Sequence, residues 1–286
     1  MKTLYPYRSL ILASGLLALS SVGCGAATLV ADFTDGTSTT AADGYTGAAG
    51  NGWVAGWVVT PGNAASSTFA LSSASPLATG GGNYLTASIT SAGSGTAAST
   101  GRRYAASGGA SISTSDSVSY TFNFRADSIT GGSSYRFADM DNAYAAGSGP
   151  AQTWAFSIDN GGLNLANGDG AGNKTTVGAG ALIVANTTYT FNITANTAAK
   201  TWSLQLLSAS GSVLYTSGTL GFRASYSGLG GVFVYATADN DSTPSDFSSS
   251  IDSLNITSIS SIPEPSTASI LIGGAVLGCA VFRRRR

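Results

Sequence analysis

The sequence predicts an all-β protein: an antiparallel, jelly-roll-like β-sandwich that lies between two targeting segments. Short runs of alternating apolar and polar residues recur along the middle of the chain, and Gly, Ser and Asn separate them. No stretch of the middle has a convincing helical periodicity. Charged residues make up only 9% of the chain, against roughly 25% in an average soluble protein. Hydroxyl and amide groups must therefore solvate the surface, as in many secreted β proteins.

The clearest predicted strand covers residues 118–125, where four large apolar residues alternate with polar ones. Two more strands, over 188–194 and 201–206, alternate in the same way, and Asn196–Ala199 is expected to join them as a hairpin. Weaker candidate strands are Leu29–Phe33, Trp53–Val59, Thr68–Leu71, Tyr84–Ile89, Tyr135–Met140, Trp154–Ile158, Val213–Ser217, Val232–Ala236 and Ile251–Ile256.

Three glycine-rich stretches are expected to be surface loops: Gly36–Gly52, Ser91–Gly109 and Gly161–Asn173. The folded domain is expected over residues 28–257, followed by a linker and tail over 258–286. The domain contains no cysteine, so no disulfide can stabilise it and its own core must do so.

The charge of the middle excludes one class of function. Between Thr28 and Ser260 there are seven basic residues and thirteen aspartates, so this part of the chain is acidic. Because nucleic-acid binding requires a basic surface, the sequence argues against a nucleic-acid partner.

The N-terminus is typical of a signal peptide for the Sec translocon over residues 1–27. Lys2 and Arg8 supply its positive charge, residues 10–22 its apolar stretch, and small residues precede a cleavage site expected after Ala27. Two alternatives are a membrane anchor that stays attached and lipoprotein processing at Cys24.

The C-terminus combines three features in a fixed order. Pro263, Glu264 and Pro265 come first, followed by an apolar run over about 267–282 that is expected to be a short helix. Sixteen helical residues would be about 24 Å long, shorter than a hydrocarbon core of about 30 Å. The terminal cluster, which would hold that end in the cytoplasm, consists of Arg283, Arg284, Arg285 and Arg286. The tail is therefore expected to enter the membrane only transiently.

This arrangement, from Ile262 to Arg286, resembles the PEP-CTERM sorting signal. The resemblance implies an exported protein of a Gram-negative bacterium that makes extracellular polysaccharide. It further implies processing near the motif by an exosortase, a membrane-embedded cysteine transpeptidase, and a final place outside the cell or on its outer surface. An ordinary tail anchor is the alternative.

The middle of the chain also carries a resemblance, of pattern rather than of motif. The hairpin over 189–206 is followed by a turn and a further predicted strand, Gly211–Tyr215. This order is similar to the concanavalin-like or laminin-G-like sandwich.

The residues for most catalytic sites are missing from the domain. Without histidine, cysteine or glutamate, neither Ser-His-Asp and Cys-His arrangements nor His/Cys zinc sites can be built. Two aspartates could serve a glycosidase, and Asp139 and Asp141 are the pair to consider. The alternative for this pair is a solvated loop after a strand, and the domain is expected not to be an enzyme.

Calcium is the one ion that the composition favours, because it binds carboxylate and amide oxygens. Candidate ligands are Asp239, Asp241 and Asp246, which lie in one short segment. Asp32 or Asp252 could approach them if the terminal strands pair. The alternative is a polar turn without metal, and no other cofactor is expected.

Aromatic side chains could form a platform for a sugar. The candidates are Trp53, Trp57, Trp154, Tyr45 and Tyr144. Core packing is the alternative, because Trp53 and Trp57 would share one face of a predicted strand.

Together these observations favour a non-catalytic extracellular or surface protein that is a component or binder of an exopolysaccharide matrix. A carbohydrate-binding, lectin-like module is the alternative, and a secreted glycosidase is the third hypothesis. Polysaccharide is thus the expected partner besides the export and sorting machinery.

Overall fold

The computed structural model describes most of the expected domain. The described residues are 26–37, 40–47, 53–61, 66–73, 77, 83–90, 96–105, 112–129, 132–141, 152–225, 228–239 and 246–259. The predicted signal peptide before residue 26 and the predicted tail helix lie outside them. Across the described ranges no helix is long and apolar enough to cross a membrane.

The described residues form sixteen β-strands in two sheets, and every strand pair is antiparallel. Sheet A contains β1 (Thr28–Ala31), β3 (Ser66–Ser72), β4 (Tyr84–Thr90), β6 (Ser117–Ala126), β11 (Thr188–Asn196), β12 (Thr201–Ser208), β13 (Val213–Thr216), β14 (Leu220–Gly221) and β16 (Asp246–Ile259). Sheet B contains β2 (Val58–Pro61), β5 (Thr96–Arg103), β7 (Ser133–Met140), β8 (Gln152–Asp159), β9 (Gly162–Gly168), β10 (Lys174–Ala181) and β15 (Val232–Asp239).

The order of the strands differs from their order along the chain. Sheet A runs β13-β12-β11-β6-β16-β4-β3, with β1 beside β16 and β14 beside β12. Sheet B runs β10-β9-β8-β7-β15-β5-β2. The predicted all-β, antiparallel sandwich is thereby confirmed. The predicted hairpin is confirmed as well, since Asn196 pairs with Thr201 where β11 turns into β12.

The core lies between the two sheets and consists largely of aromatic rings. In β6, Val118, Tyr120, Phe122 and Phe124 are fully buried, as their alternation with polar residues predicts. Opposite them, Phe137 of β7 is also fully buried. Its ring centroid lies 4.8 Å from that of Phe122 and 5.5 Å from that of Phe124. These contacts join sheet A to sheet B.

Three expectations about the strands are wrong. The predicted loop Ser91–Gly109 contains β5, and the predicted loop Gly161–Asn173 contains β9. Both strands are rich in Gly, Ala, Thr or Asn, whose small or polar side chains give no strong alternation. The predicted strand Trp53–Val59 begins only at Val58.

The two ends of the domain lie side by side. β1 pairs with β16, placing Thr28 opposite Thr257, so the terminal strands do pair. β16 continues to Ile259, two residues beyond the expected boundary at 257. The amide of Ala27 donates to Ser258 Oγ at 3.0 Å, and its carbonyl accepts from the amide of Ser258 at 2.8 Å.

Candidate functional site

The proposed aromatic platform is wrong for two of its tryptophans. Trp57 and Trp154 are 1% and 0% exposed, and both belong to the core between the sheets. Trp53 is partly buried, and the guanidinium of Arg102 lies 4.4 Å from its ring centroid. Tyr45 is partly buried against the core, and Tyr144 lies outside the described residues. Trp57 and Trp154 therefore pack in the core, which was the alternative interpretation. Their rings are too deeply buried to contact a ligand.

Asp139 lies neither in a solvated loop nor at an open catalytic centre. It belongs to β7 and is fully buried. Its Oδ1 accepts from the Tyr104 hydroxyl at 2.6 Å and from the amide of Gly231 at 3.0 Å, and its Oδ2 accepts from the amide of Gly230 at 2.6 Å. Burial raises the pKa of Tyr104 well above its usual value, so this hydroxyl keeps its proton and donates. Asp139 therefore ties a core strand to the segment before β15.

Asp141 follows β7 and is half-buried, and its backbone carbonyl accepts from Nη2 of Arg103 at 3.1 Å. Because Asp139 is enclosed in the core, Asp139 and Asp141 do not form a carboxylate pair that a substrate could reach. The structure thus offers no glycosidase centre at this pair.

The burial of Asp139 leads to a testable pH dependence. Burial raises the pKa of Asp139 to about 6 from 3.8, although the hydrogen bonds from Tyr104, Gly230, Thr153 and Gly231 act to lower it. The carboxyl group of Asp139 therefore binds its proton more tightly in the folded state than in the unfolded state, and protonation stabilises the fold. This stabilisation is complete below pH 4 and is lost as the pH rises through about 6, a change of about 3 kcal/mol.

Urea unfolding of the wild type and of Asp139→Asn at several values between pH 4 and pH 7 measures this effect. The wild type should lose free energy of unfolding relative to the variant as the pH rises. A constant difference between the two proteins across that range would contradict the prediction.

The calcium candidates are only partly within the described residues. Asp239 ends β15 and is fully buried, Asp246 begins β16 and is exposed, and Asp241 lies outside the described ranges. In the part of the chain that the structure describes, no three His, Cys, Asp or Glu residues are grouped to hold a metal. The calcium site stays a prediction.

A polar groove of about 270 Å³ opens on the face of sheet B that points away from the core. It crosses four neighbouring strands, β7 to β10. Its lining residues are Arg136, Gln152, Ala155, Phe156, Ser157, Asp159, Asn164, Ala166, Lys174 and Thr176. Most of these residues alternate along their strands with core residues such as Phe137, Ile158 and Leu165, which explains why they point outward.

The register of the strands brings the polar side chains together. Arg136 of β7 lies opposite Ser157 of β8, and Ser157 lies opposite Asn164 of β9. Two residues after Asn164 along β9, Ala166 lies opposite Thr176 of β10. Between these polar residues lie Ala155 and Ala166, which are 5% and 4% exposed and belong to a small buried hydrophobic cluster.

Hydrogen bonds fix two of the polar groups in the groove. Oδ2 of Asp159 accepts from Ser157 Oγ and from Asn164 Nδ2, both at 2.8 Å. At the other end, Arg223 donates from Nη1 to Gln152 Oε1 at 3.2 Å and from Nε to the carbonyl of Gly172 at 2.9 Å. These side chains are held in place before any ligand arrives, which lowers the entropic cost of binding.

The groove is also a place where positive charge collects. Partial burial lowers the pKa of Lys174, and the charges of Arg136 and Arg223 lower it further, while Asp159 opposes the shift. Three cations therefore interact around one carboxylate in a domain that is acidic as a whole. Sequence reasoning missed this site because its residues are far apart along the chain.

The comparisons with known proteins concern the tail and the fold. Residues 261–286 match the PEP-CTERM protein-sorting motif, so the chain carries a sorting signal at this end and the predicted resemblance is confirmed. The sorting residues Pro263, Glu264 and Pro265 and the terminal arginines fall within the match. No curated protein matches the chain.

Solved structures with a similar arrangement of strands include a protein of unknown function from Shewanella oneidensis MR-1, with 14% identity and a TM-score of 0.49 over 82% of this chain and 86% of the other. Peanut lectin has 14% identity and a TM-score of 0.43 over 72% and 98%. Lectin UEA-II complexed with galactose has 12% identity and a TM-score of 0.46 over 81% and 99%. At such identities and TM-scores, none of these likenesses assigns a ligand to this chain.

Proposed function

We propose that this chain is an exported, exosortase-processed surface protein whose β-sandwich binds carbohydrate without catalysing a reaction. The observation that carries the proposal is the preformed polar groove on sheet B. The sorting motif at 261–286 supports the export and surface placement.

The groove has the chemistry that a hydroxyl-rich ligand requires. Sugar hydroxyls both donate and accept, and the groove offers donors in Arg136 and Lys174 and an acceptor in Asp159. Gln152 and Asn164 supply groups that do both. Asp159 is the one carboxylate among the described lining residues, whereas common glycoside hydrolysis uses two. The groove therefore favours binding over hydrolysis.

The proposed location fits this role. A protein that is exported and then released from its tail would meet polysaccharide around the producing cell. Its role in this proposal is that of a binder or component of the exopolysaccharide matrix. Cleavage of a signal peptide after Ala27 and transport by the Sec translocon belong to the same proposal.

Binding can be tested with the full-length chain in mild detergent on a panel of defined polysaccharides, by affinity electrophoresis. The substitution Asn164→Ala removes a groove amide and one of the bonds that position Asp159. Affinity for the bound polysaccharide should fall about tenfold, as loss of a hydrogen bond worth about 1.4 kcal/mol predicts.

Asn192→Ala is the matched control, because this amide lies on β11 in the other sheet and accepts from Thr121 Oγ1 at 2.9 Å. It should bind like the wild type. If the wild type migrates unchanged through every polysaccharide gel, the proposed function is wrong.

Sorting can be tested in the producing cells. Either Glu264→Ala or deletion of Arg283–Arg286 should leave most of the chain as unprocessed precursor in the membrane fraction, because both edits alter the matched motif. Mass spectrometry and cell fractionation measure the outcome. Ser260→Ala, just outside the motif, should be processed normally. Unchanged mature mass and location in both edited chains would refute exosortase sorting.

A further inference from the structure

We infer that the groove on sheet B selects an acidic glycan, one whose sugar units carry carboxylates, over a neutral glycan. This inference rests on the proposed carbohydrate binding and narrows its ligand. It is carried by the position of three cationic side chains, Arg136, Lys174 and Arg223, around one groove.

The charge at the groove is opposite to that of the rest of the domain. Three of the seven basic residues between Thr28 and Ser260 lie there, with one of the thirteen aspartates. The remainder of that stretch keeps four basic residues and twelve aspartates. The stretch between Thr28 and Ser260 therefore has three of its seven cationic side chains at one site. Such a local field attracts an anion and steers its approach.

Other arginines of the domain have partners that account for them. Arg102 is buried, and its Nε donates to the carbonyl of Ala55 at 2.9 Å. Arg125 forms an ion pair with Asp127 at 3.3 Å. Both guanidinium groups therefore already have partners within the protein. By contrast, the side chains of Arg136 and Lys174 make no hydrogen bond or ion pair with the other described residues.

Placing three like charges together has a cost that a ligand would relieve. Arg136 and Arg223 make the charged form of Lys174 less favourable and lower its pKa. Asp159 offsets part of this repulsion, but its Oδ2 is already engaged by Ser157 and Asn164. An anionic ligand would supply the missing negative charge, so binding would remove a repulsion as well as form contacts.

A carboxylate is an anion that this set of side chains suits, although a guanidinium can pair with phosphate in the same way. A guanidinium presents parallel N–H groups that match the two oxygens of a carboxylate, and Lys174 adds a mobile point charge. The ligand carboxylate belongs on the side of Arg136, Lys174 and Arg223, away from Asp159. The neighbouring sugar hydroxyls then face Asp159, Asn164 and Ser157.

The experiment compares polygalacturonate with the same polymer after its carboxyl groups have been reduced to alcohols, and with dextran sulfate. Binding of the full-length chain in mild detergent is measured by affinity electrophoresis at low and high salt. Polygalacturonate should bind at least tenfold more tightly than its reduced form. Arg136→Gln and Lys174→Gln should each weaken that binding about tenfold or more, and salt should weaken it in the wild type because it screens charges.

Lys200→Gln is the matched control, because it removes the same charge from the β11–β12 turn in the other sheet. It should bind like the wild type, and melting curves of all variants should show that they are folded. Equal binding of polygalacturonate and its reduced form would overturn the acidic-glycan inference while the proposed function stands. Tighter binding of dextran sulfate than of polygalacturonate would overturn the choice of carboxylate. Failure to bind any of these polymers or the polysaccharide panel would overturn both proposals.

Discussion

Phe137→Ala is expected to lower the free energy of unfolding by about 3 to 5 kcal/mol, as removal of a buried phenylalanine side chain does in other cores. Phe137 has no exposed surface, and its ring touches rings from both sheets. Besides the two β6 rings described above, its centroid lies 5.1 Å from Phe156 and 5.1 Å from Tyr235. Because neighbours on all sides are held by strand pairing, the space left by the ring cannot close fully.

Urea unfolding followed by tryptophan fluorescence measures this loss. Phe137→Leu should recover a large part of it, since leucine fills much of the same volume with apolar atoms. Val213→Ala, at a side chain that is 55% exposed, should change stability by less than about 0.5 kcal/mol. A loss below about 1 kcal/mol in Phe137→Ala would contradict the position of this ring at the centre of the core.

Asp139→Ala is expected to cost a similar amount, about 3 to 5 kcal/mol, for a different reason. The substitution removes the buried acceptor of the amide of Gly231. It also removes the carboxylate partner of the amide of Gly230 and of the hydroxyl of Tyr104, which then have to rely on Thr153 Oγ1 and the hydroxyl of Tyr120. Each unsatisfied buried donor costs about 1 to 3 kcal/mol. The measurement belongs at pH 5, where the cost of burying a charged carboxylate contributes little.

Asp139→Asn should lose less than the alanine variant, because its amide oxygen can still accept from Tyr104 and Gly231, the donors to Oδ1. Asp246→Ala removes an exposed carboxylate from the start of β16 and should be nearly neutral. If Asp139→Ala unfolds at the same urea concentration as the wild type, the carboxylate does not have the structural role described above.

The sequence was sufficient to predict strands whose two faces differ strongly. In β6 and β11, large apolar residues alternate with Ser, Thr and Asn, and the structure buries the apolar set in both. β5 could not be found in this way. Ala98 and Arg102 of β5 are both buried, and an arginine gives no apolar signal. The burial of Arg102 depends on the ring of Trp53 and on backbone carbonyls such as that of Ala55, which are distant along the chain.

The groove could not be predicted from the sequence, because its position depends on how the strands pair. Alternation indicates that Arg136, Ser157 and Asn164 face away from a core, but not that they lie beside one another. That depends on the strand order β7-β8-β9 and on the register of each pair. Arg223 lies in the segment after β14 and contacts the groove through Gln152. No pattern in the surrounding sequence indicates that contact.

The pairing of the last strand has a mechanical consequence. β16 has fourteen residues, and β6 is bonded along one side of it while β4 and β1 occupy the other. A force applied through the C-terminal tail enters the domain at Ile259, along the direction of this strand. It would load the hydrogen bonds on both sides of β16 in shear, so that many must break together. A domain pulled from that end would resist extraction far better than one whose last strand lay at a sheet edge and could be peeled away bond by bond.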